Sequence, residues 1–201
     1  LSGSLILNTV DGQTQRSIMS EEVSEFAHFG NCLALNGEFL VIGAPHDDSG
    51  EQRSGSVFIY RMQNNSWREY QKILCPDDPQ ENREFGNWID LSGNNLVIGA
   101  HRDNEIAFAC GAAYVYTFNE EDWIFLQKLT PSDGEELNYF GHRVAISGSK
   151  ILVGSQKGYD NGRYAGAAYV FNRSNETWTE EAILVSDDLE PLDNFTSDIA
   201  I

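Results

Sequence analysis

Apolar residues fall in short bursts along this chain, each rich in β-branched or aromatic side chains and bounded by Gly, Asn, Ser or Asp. That is the pattern of strands joined by turns. No segment combines helix caps with a long apolar stripe at 3.6-residue spacing. The bursts "FLVIGAP", "NLVIGAH" and "ILVGSQ" are apolar nearly throughout, as are "GSVFIY", "GAAYVY" and "GAAYVF". Continuous hydrophobic runs of this length belong to strands buried on both faces.

The bursts repeat in phase. Phe29-Gly30, Phe85-Gly86 and Phe140-Gly141 recur roughly every 55 residues, with Phe195-Thr196 as a decayed fourth copy. Each copy holds four parts in order. Strand A carries "FGNCLALNG", "FGNWIDLSG" or "FGHRVAISG"; strand B and strand C are the two apolar runs above; strand D follows a Trp (Trp67, Trp123, Trp178) into "YQKIL", "LQKL" or "EAIL". The A–B links "LNGEF", "LSGNN" and "ISGSK" are tight hairpins containing Gly, and the C–D links are hairpin-like. Each repeat is therefore a four-stranded antiparallel meander. One such sheet cannot bury both faces alone, whereas sheets stacked radially bury them against their neighbours. The expected fold is all-β, a run of β-propeller blades. Gly43, Gly99 and Gly154 sit where neighbouring backbones approach closely, and the Phe of each Phe-Gly pair wedges between blades.

Phase also sets the expected boundaries. Residues 1–25 supply strands C and D of one blade, complete blades span 26–75, 82–130 and 137–185, and residues 194–201 supply a further strand A. Two arrangements are compatible with this. The chain is part of a larger propeller, or one completed by neighbouring copies, in which case head-to-tail association builds a filament if the rotation does not close. Alternatively the last strand joins the first two to close a small ring.

These residues resemble the FG-GAP repeat family, best known from the propeller heads of integrin α subunits. Phe29-Gly30 and Val41-Ile42-Gly43-Ala44-Pro45 carry both halves of the name, and later copies replace the Pro by His101 and Gln156. The resemblance implies adhesion or scaffolding at an extracellular location or the cell surface. Where enzymes contain such propellers, catalytic residues usually lie in another domain. Integrin-like repeats often carry an Asp-rich calcium loop between strands A and B. Here those hairpins are too short and nearly free of acids, so calcium is not carried over and no cofactor is expected. The longer B–C loops look more like FG-GAP variants in large cell-surface proteins of bacteria and protists.

Charge narrows the partners. The formal net charge is −18, with only 13 Lys and Arg, which disfavours nucleic acid and an anionic membrane surface. No apolar stretch is long enough for membrane insertion as a helix. The expected partner is protein, including other copies of the chain; the alternative is a glycan or protein gripped by the B–C and D–A loops, with Phe108, Tyr159 and Tyr164 as contributors. No enzyme motif is present, and none of the histidines His28, His46, His101 and His142 adjoins a recognisable nucleophile. A hydrolase at the propeller axis would need two converging carboxylates.

Smaller signals remain. Asn64, Asn172, Asn175 and Asn194 head N-x-[ST] sequons, three of them at C–D turns, where a secreted glycoprotein would carry sugar. Among Cys32, Cys75 and Cys110, a Cys75–Cys110 disulfide is geometrically conceivable, and three unpaired thiols are the alternative. Asp47-Asp48 is a weak candidate for a cation site and reads more simply as a solvated turn.

Overall fold

The computed structural model describes residues 4–7, 16–77, 81–156, 166–186 and 195–201. Among them there are strands and turns but no helix. A two-stranded hairpin comes first: β1 (Ser4–Leu7) and β2 (Arg16–Met19). Three four-stranded antiparallel meanders follow. The first holds β3 (Leu33–Asn36), β4 (Phe39–Ala44), β5 (Ser56–Gln63) and β6 (Ser66–Leu74). The second holds β7 (Trp88–Ser92), β8 (Asn95–Ala100), β9 (Ala112–Phe118) and β10 (Trp123–Leu129). The third holds β11 (Arg143–Ser147), β12 (Lys150–Ser155), β13 (Ala167–Ser174) and β14 (Thr177–Leu184). The strands pair in chain order within each sheet, and the sheets are separate from one another.

Burial follows the pattern of the sequence. Every residue of β4 is buried, and β8 is buried from Leu96 to Ala100. Three apolar clusters fill the joints between successive sheets. Ile18 and Ala27 pack with Leu40, Ile42, Phe58 and Tyr60 of the first meander. Val41, Val57 and Ile59 meet Phe85, Ile98, Tyr114 and Trp123 across the next joint. Val97, Ala113 and Val115 meet Phe140, Val153, Tyr169 and Trp178 across the last. Phe85 and Phe140 are fully buried wedges, and each stacks edge-on against a tyrosine, Tyr114 or Tyr169.

The backbones touch at the Phe-Gly pairs. A Cβ on Gly43 would lie 2.2 Å from the carbonyl oxygen of Gly86, and one on Gly99 would lie 2.1 Å from that of Gly141. No side chain fits there, so these glycines are required by neighbouring backbone and not by their own φ. Gly154 meets Thr196 in the same way, with 3.0 Å to its Cβ. The decayed Phe195-Thr196 copy thus occupies the place that Phe85-Gly86 and Phe140-Gly141 hold earlier. The residues expected to begin a further blade carry no strand assignment at 195–201. No second strand pairs with them among the described residues. They are held instead by Thr196 Oγ1 donating to Ser155 O at 2.9 Å and by Arg143 Nε donating to Ser197 O at 3.0 Å.

Two further devices couple the sheets. The B–C loop of one blade pairs in parallel with the segment leading into the next, through Glu84 N to Arg53 O (3.1 Å), Phe85 N to Ser54 O (3.0 Å) and, one repeat on, Tyr139 N to Ala109 O (3.0 Å) and Phe140 N to Cys110 O (2.9 Å). On the outer strands a glutamine acts as a surrogate backbone. Gln71 donates through Nε2 to Trp123 O and accepts from Trp123 N, both at 2.9 Å; Gln127 does the same to Trp178, both at 2.8 Å. The third meander carries Ala182 at this register position, opposite Val170 as Gln127 is opposite Val115.

Gln127→Ala removes both clamp bonds and leaves the backbone groups of Trp178 without them. Urea unfolding is expected to show a loss of about 1–3 kcal/mol, against a few tenths for Gln63→Ala at an exposed strand end.

Candidate functional site

Alternating strand directions place the B–C loops and the D–A connections on one face, and the A–B and C–D hairpins on the other. The chemistry collects on the first face, close to where the inner strands β3, β7 and β11 lie side by side. Each inner strand is approached through a residue that precedes Phe-Gly: His28 (φ 57°), Glu84 (φ 56°) and Tyr139 (φ 51°). All three are held in the left-handed region, which costs a non-glycine residue about 1 kcal/mol or more. The latch to the preceding B–C loop fixes that conformation at Glu84 and Tyr139. A second ring of side chains leaves the ends of the B strands: His46 after β4, His101 and Arg102 after β8, Gln156 after β12.

Glu84 is the hub. Its carboxylate faces His46 Nε2 at 3.7 Å, His101 Nε2 at 3.5 Å and Arg102 Nε at 3.4 Å. Burial raises its pKa, and the positive fields of Arg102 and Arg53 oppose that rise. His28 stacks on His46 with ring centroids 3.9 Å apart. His142 lies edge-on to His101 at 5.9 Å. Burial pushes His101 down to about 3, helped by the nearby positive groups His142, Arg102 and Arg143. His142 falls to about 4 through burial and then Arg143. Both imidazoles are therefore neutral at pH 7. The guanidinium of Arg143 sits 4.1 Å from the centre of the Trp88 ring. Asn31, Glu84, Asn87, Trp88, His101, His142 and Arg143 together line a cavity of about 320 Å³.

The four histidines, unconnected by any motif in the sequence, thus form one cluster: His46 and His101 face Glu84, His28 stacks on His46 and His142 meets His101. The signal that could have found them is their phase: each stands within two residues of a Phe-Gly or Gly-Ala pair. A second cavity, about 360 Å³, lies on the axial side between Cys32, Leu33, Trp88, Asp90, Val144 and Ile201.

Asp47 is not the solvated turn expected of it. It is fully buried. Its carboxylate accepts from Ser56 Oγ (2.6 Å), Ser49 Oγ (2.7 Å) and Ser24 N (2.9 Å), and Lys72 Nζ lies at 3.1 Å. Burial alone would raise its pKa; the hydrogen bonds from Ser56 and Ser24 outweigh that and hold it at about 2. Asp48 is exposed and accepts from Arg53 N at 2.8 Å. Among the described residues no group of three or more His, Cys, Asp or Glu is placed to hold a metal ion. The next blade repeats the anchor. Buried Asp103 meets Lys128 Nζ at 3.2 Å, Arg83 Nε at 3.3 Å and the Tyr114 hydroxyl at 2.8 Å. Asp47 with Lys72 and Asp103 with Lys128 are the same pair in register, a feature the sequence reading missed. The third blade has Ile183 at the lysine position and Gly158 at the aspartate position. Both partners are replaced, as the cost of a lone buried charge requires.

The Cys75–Cys110 disulfide is not formed; Cys32, Cys75 and Cys110 are free thiols. Cys75 Sγ is taken by the Arg83 guanidinium, and Cys110 Sγ packs against Gly134. Cys32, buried at the Gly43–Gly86 contact, donates to Gly86 O at 3.2 Å, and burial pushes its thiol up to about 12. Asn64 and Asn175 are exposed on C–D turns with φ of 48° and 59°. Asn172 is half-buried in β13. Phe108 is exposed on its B–C loop, whereas Asn194, Tyr159 and Tyr164 lie outside the described residues.

Stacked antiparallel meanders joined through Phe-Gly contacts define these sheets as blades of a β-propeller type. The profile of the FG-GAP repeat matches at residues 13–60, 67–116 and 123–171, well over half of the chain, and the protein belongs to the FG-GAP repeat family. Each match runs from the outer strand of one blade to the third strand of the next, so the conserved sequence unit contains the joint between blades. Repeats of this kind are typical of extracellular or cell-surface proteins and generally belong to non-enzymatic propellers. A search of curated proteins found no match.

Because the folded pKa of Asp47 lies below its ordinary 3.8, its anchor stabilises the fold above about pH 4, and that contribution is lost as pH falls through about 2. An acid titration of unfolding free energy should show a loss of about 2 kcal/mol over that window. Asp47→Asn should be less stable at pH 7 by a similar amount and should lose about that much less than the wild type across the same window.

Proposed function

We propose that this chain is an adhesive or structural module of an extracellular or cell-surface glycoprotein, acting by rigid presentation of its B–C and D–A face to a protein partner. One observation carries the reading: the convergence of Glu84, four histidines and the arginines Arg53, Arg102 and Arg143 on that face, in a chain whose net charge is −18. Cationic side chains gathered on one face of an acidic protein favour a partner segment that offers carboxylates, through steering and register. Arg102, 45% exposed, and exposed Arg53 form the accessible rim. The first two B–C loops are latched to the next blade, so little ordering entropy is lost there on binding.

The opposite face carries the turns of Asn64 and Asn175, where sugar would stand clear of the binding face. The same blade joints permit association of copies through sheet faces, the filament form of this module. A hydrolytic reading is not favoured. Among the described residues, each of the two cavities named above is lined by one side-chain carboxylate, Glu84 or Asp90, and glycoside hydrolysis uses two.

Soluble protein applied to an array of extracellular matrix and cell-surface proteins should bind a subset of them. The double variant Arg53→Glu, Arg102→Glu should lose about tenfold or more of that affinity with unchanged circular dichroism. Binding that survives the double variant, or an array with no protein bound, would contradict the proposed face.

A further inference from the structure

The joint between the second and third blades closes a strained latch over two neutral imidazoles. Leu137 N donates to Phe108 O at 2.8 Å, Tyr139 N to Ala109 O at 3.0 Å and Phe140 N to Cys110 O at 2.9 Å. Three of these residues lie in the left-handed region without being glycine: Leu137 (φ 60°), Tyr139 (φ 51°) and Ala109 (φ 50°). Such conformations persist only while the surroundings hold them. Those surroundings include His101, whose ring packs against Tyr139 and His142, each with centroids 5.9 Å apart. Both neighbours belong to the segment that leads into the third blade.

Neither imidazole is placed to hold a second proton while the latch is shut. His101 turns Nε2 toward the Glu84 carboxylate at 3.5 Å. The second proton would go to Nδ1, which is buried and has no hydrogen-bond partner. His142 lies against a guanidinium, with Arg143 Nη1 3.1 Å from Nε2 and 3.4 Å from Nδ1. The uncharged amide of Gln156 is its other neighbour, with Nε2 at 3.0 Å. Glu84 is the carboxylate facing His101, and it already meets Arg102 at 3.4 Å and His46 at 3.7 Å, with Arg53 acting on it as well. Asp198 acts on Arg143. Further positive charge would therefore go largely uncompensated.

Burial accordingly holds His101 at about 3 and His142 at about 4, below the ordinary 6.5. Once segment 137–140 lifts away, both rings reach water and return toward the ordinary value. The open state then binds more protons than the closed one, so its share grows as pH falls below 6.5.

We propose that segment 137–140 on its seat 108–110 is an acid-sensitive catch, kept shut by neutral His101 and His142 and released when those rings gain protons. The use of this catch rests on the proposed binding face. Its seat lies in the B–C loop that carries Arg102, so release frees that loop and detaches a protein partner in acid.

Native-state hydrogen exchange of the full chain, read by NMR from pH 6 to pH 4.5, tests the catch without any partner. Exchange rates of the Leu137, Tyr139 and Phe140 amides, corrected for intrinsic exchange, give the opening constant. It should rise at least about tenfold per pH unit, and about 100-fold where both rings gain a proton on opening. In the closed state both rings stay neutral over this range. The Phe118 amide, bonded to Asn94 O at 2.9 Å on the opposite face, serves as reference and should open less often. The double variant His101→Gln, His142→Gln should lose the pH dependence at the latch. If that variant does not fold, the wild-type slope and its comparison with Phe118 still decide. A flat opening constant overturns the catch. So do latch amides that open only as often as Phe118 at every pH, since the blades would then be unfolding together. A slope that survives the double variant overturns it as well. Any of these results removes the catch and leaves array binding at neutral pH, and with it the proposed face, untouched.

Discussion

Everything in this architecture depends on backbones that touch. Where Gly43 meets Gly86 and Gly99 meets Gly141, the gap has no room for even a methyl group. That contact sets the distance between sheets, and the distance determines what else fits. It seats Phe85 and Phe140 as wedges, brings Gln71 and Gln127 within reach of the next blade's Trp backbone, and lines up the B–C loop with the following Phe-Gly segment. The close approach is local, but its consequences run from the axis to the outermost strand.

The same constraint explains why much of the fold was legible. Strands buried on both faces leave no room for polar residues, so "LVIGA" and "AAYVY" announced themselves without structural help. The Phe-Gly period gave the blades because the repeated contact needs the same two residues each time. Side-chain chemistry was less legible, since it depends on which strand ends meet. His28 and His142 are far apart in the chain and join one cluster, through His46 and His101, only when the blades pack side by side. Asp47 reads as a turn former because Asp is common in turns; its partner Lys72 comes from strand D of the same blade, two strands further along the chain. The cysteines looked near enough to pair because their loops share a face, yet Arg83 and Gly134 occupy the space around the sulfurs.

The binding face follows from this scaffold. Left-handed residues ahead of each Phe-Gly pair aim side chains at a common rim, and the loop latch bears the strain. Glu84 collects imidazole and guanidinium groups from two blades, and burial keeps the inner imidazoles neutral. The outcome is a cluster of buried neutral imidazoles inside an exposed arginine rim. The third blade lacks the clamp glutamine and the lysine of the acid anchor, so its outer strand is chemically distinct from the other two.

The convergence of the four histidines is the most direct consequence of stacking the blades in this order. A long-range proton–nitrogen correlation spectrum of the imidazoles, followed from pH 8 to pH 3, reads it in one experiment. The account predicts that His101 and His142 both stay neutral down to about pH 4, with the His101 proton on Nε2, the nitrogen that faces Glu84. It also predicts a nuclear Overhauser contact between those two rings. His101 and His142 titrating independently near the ordinary 6.5, with no contact between their rings, would contradict the placement of the blades and the site built on them.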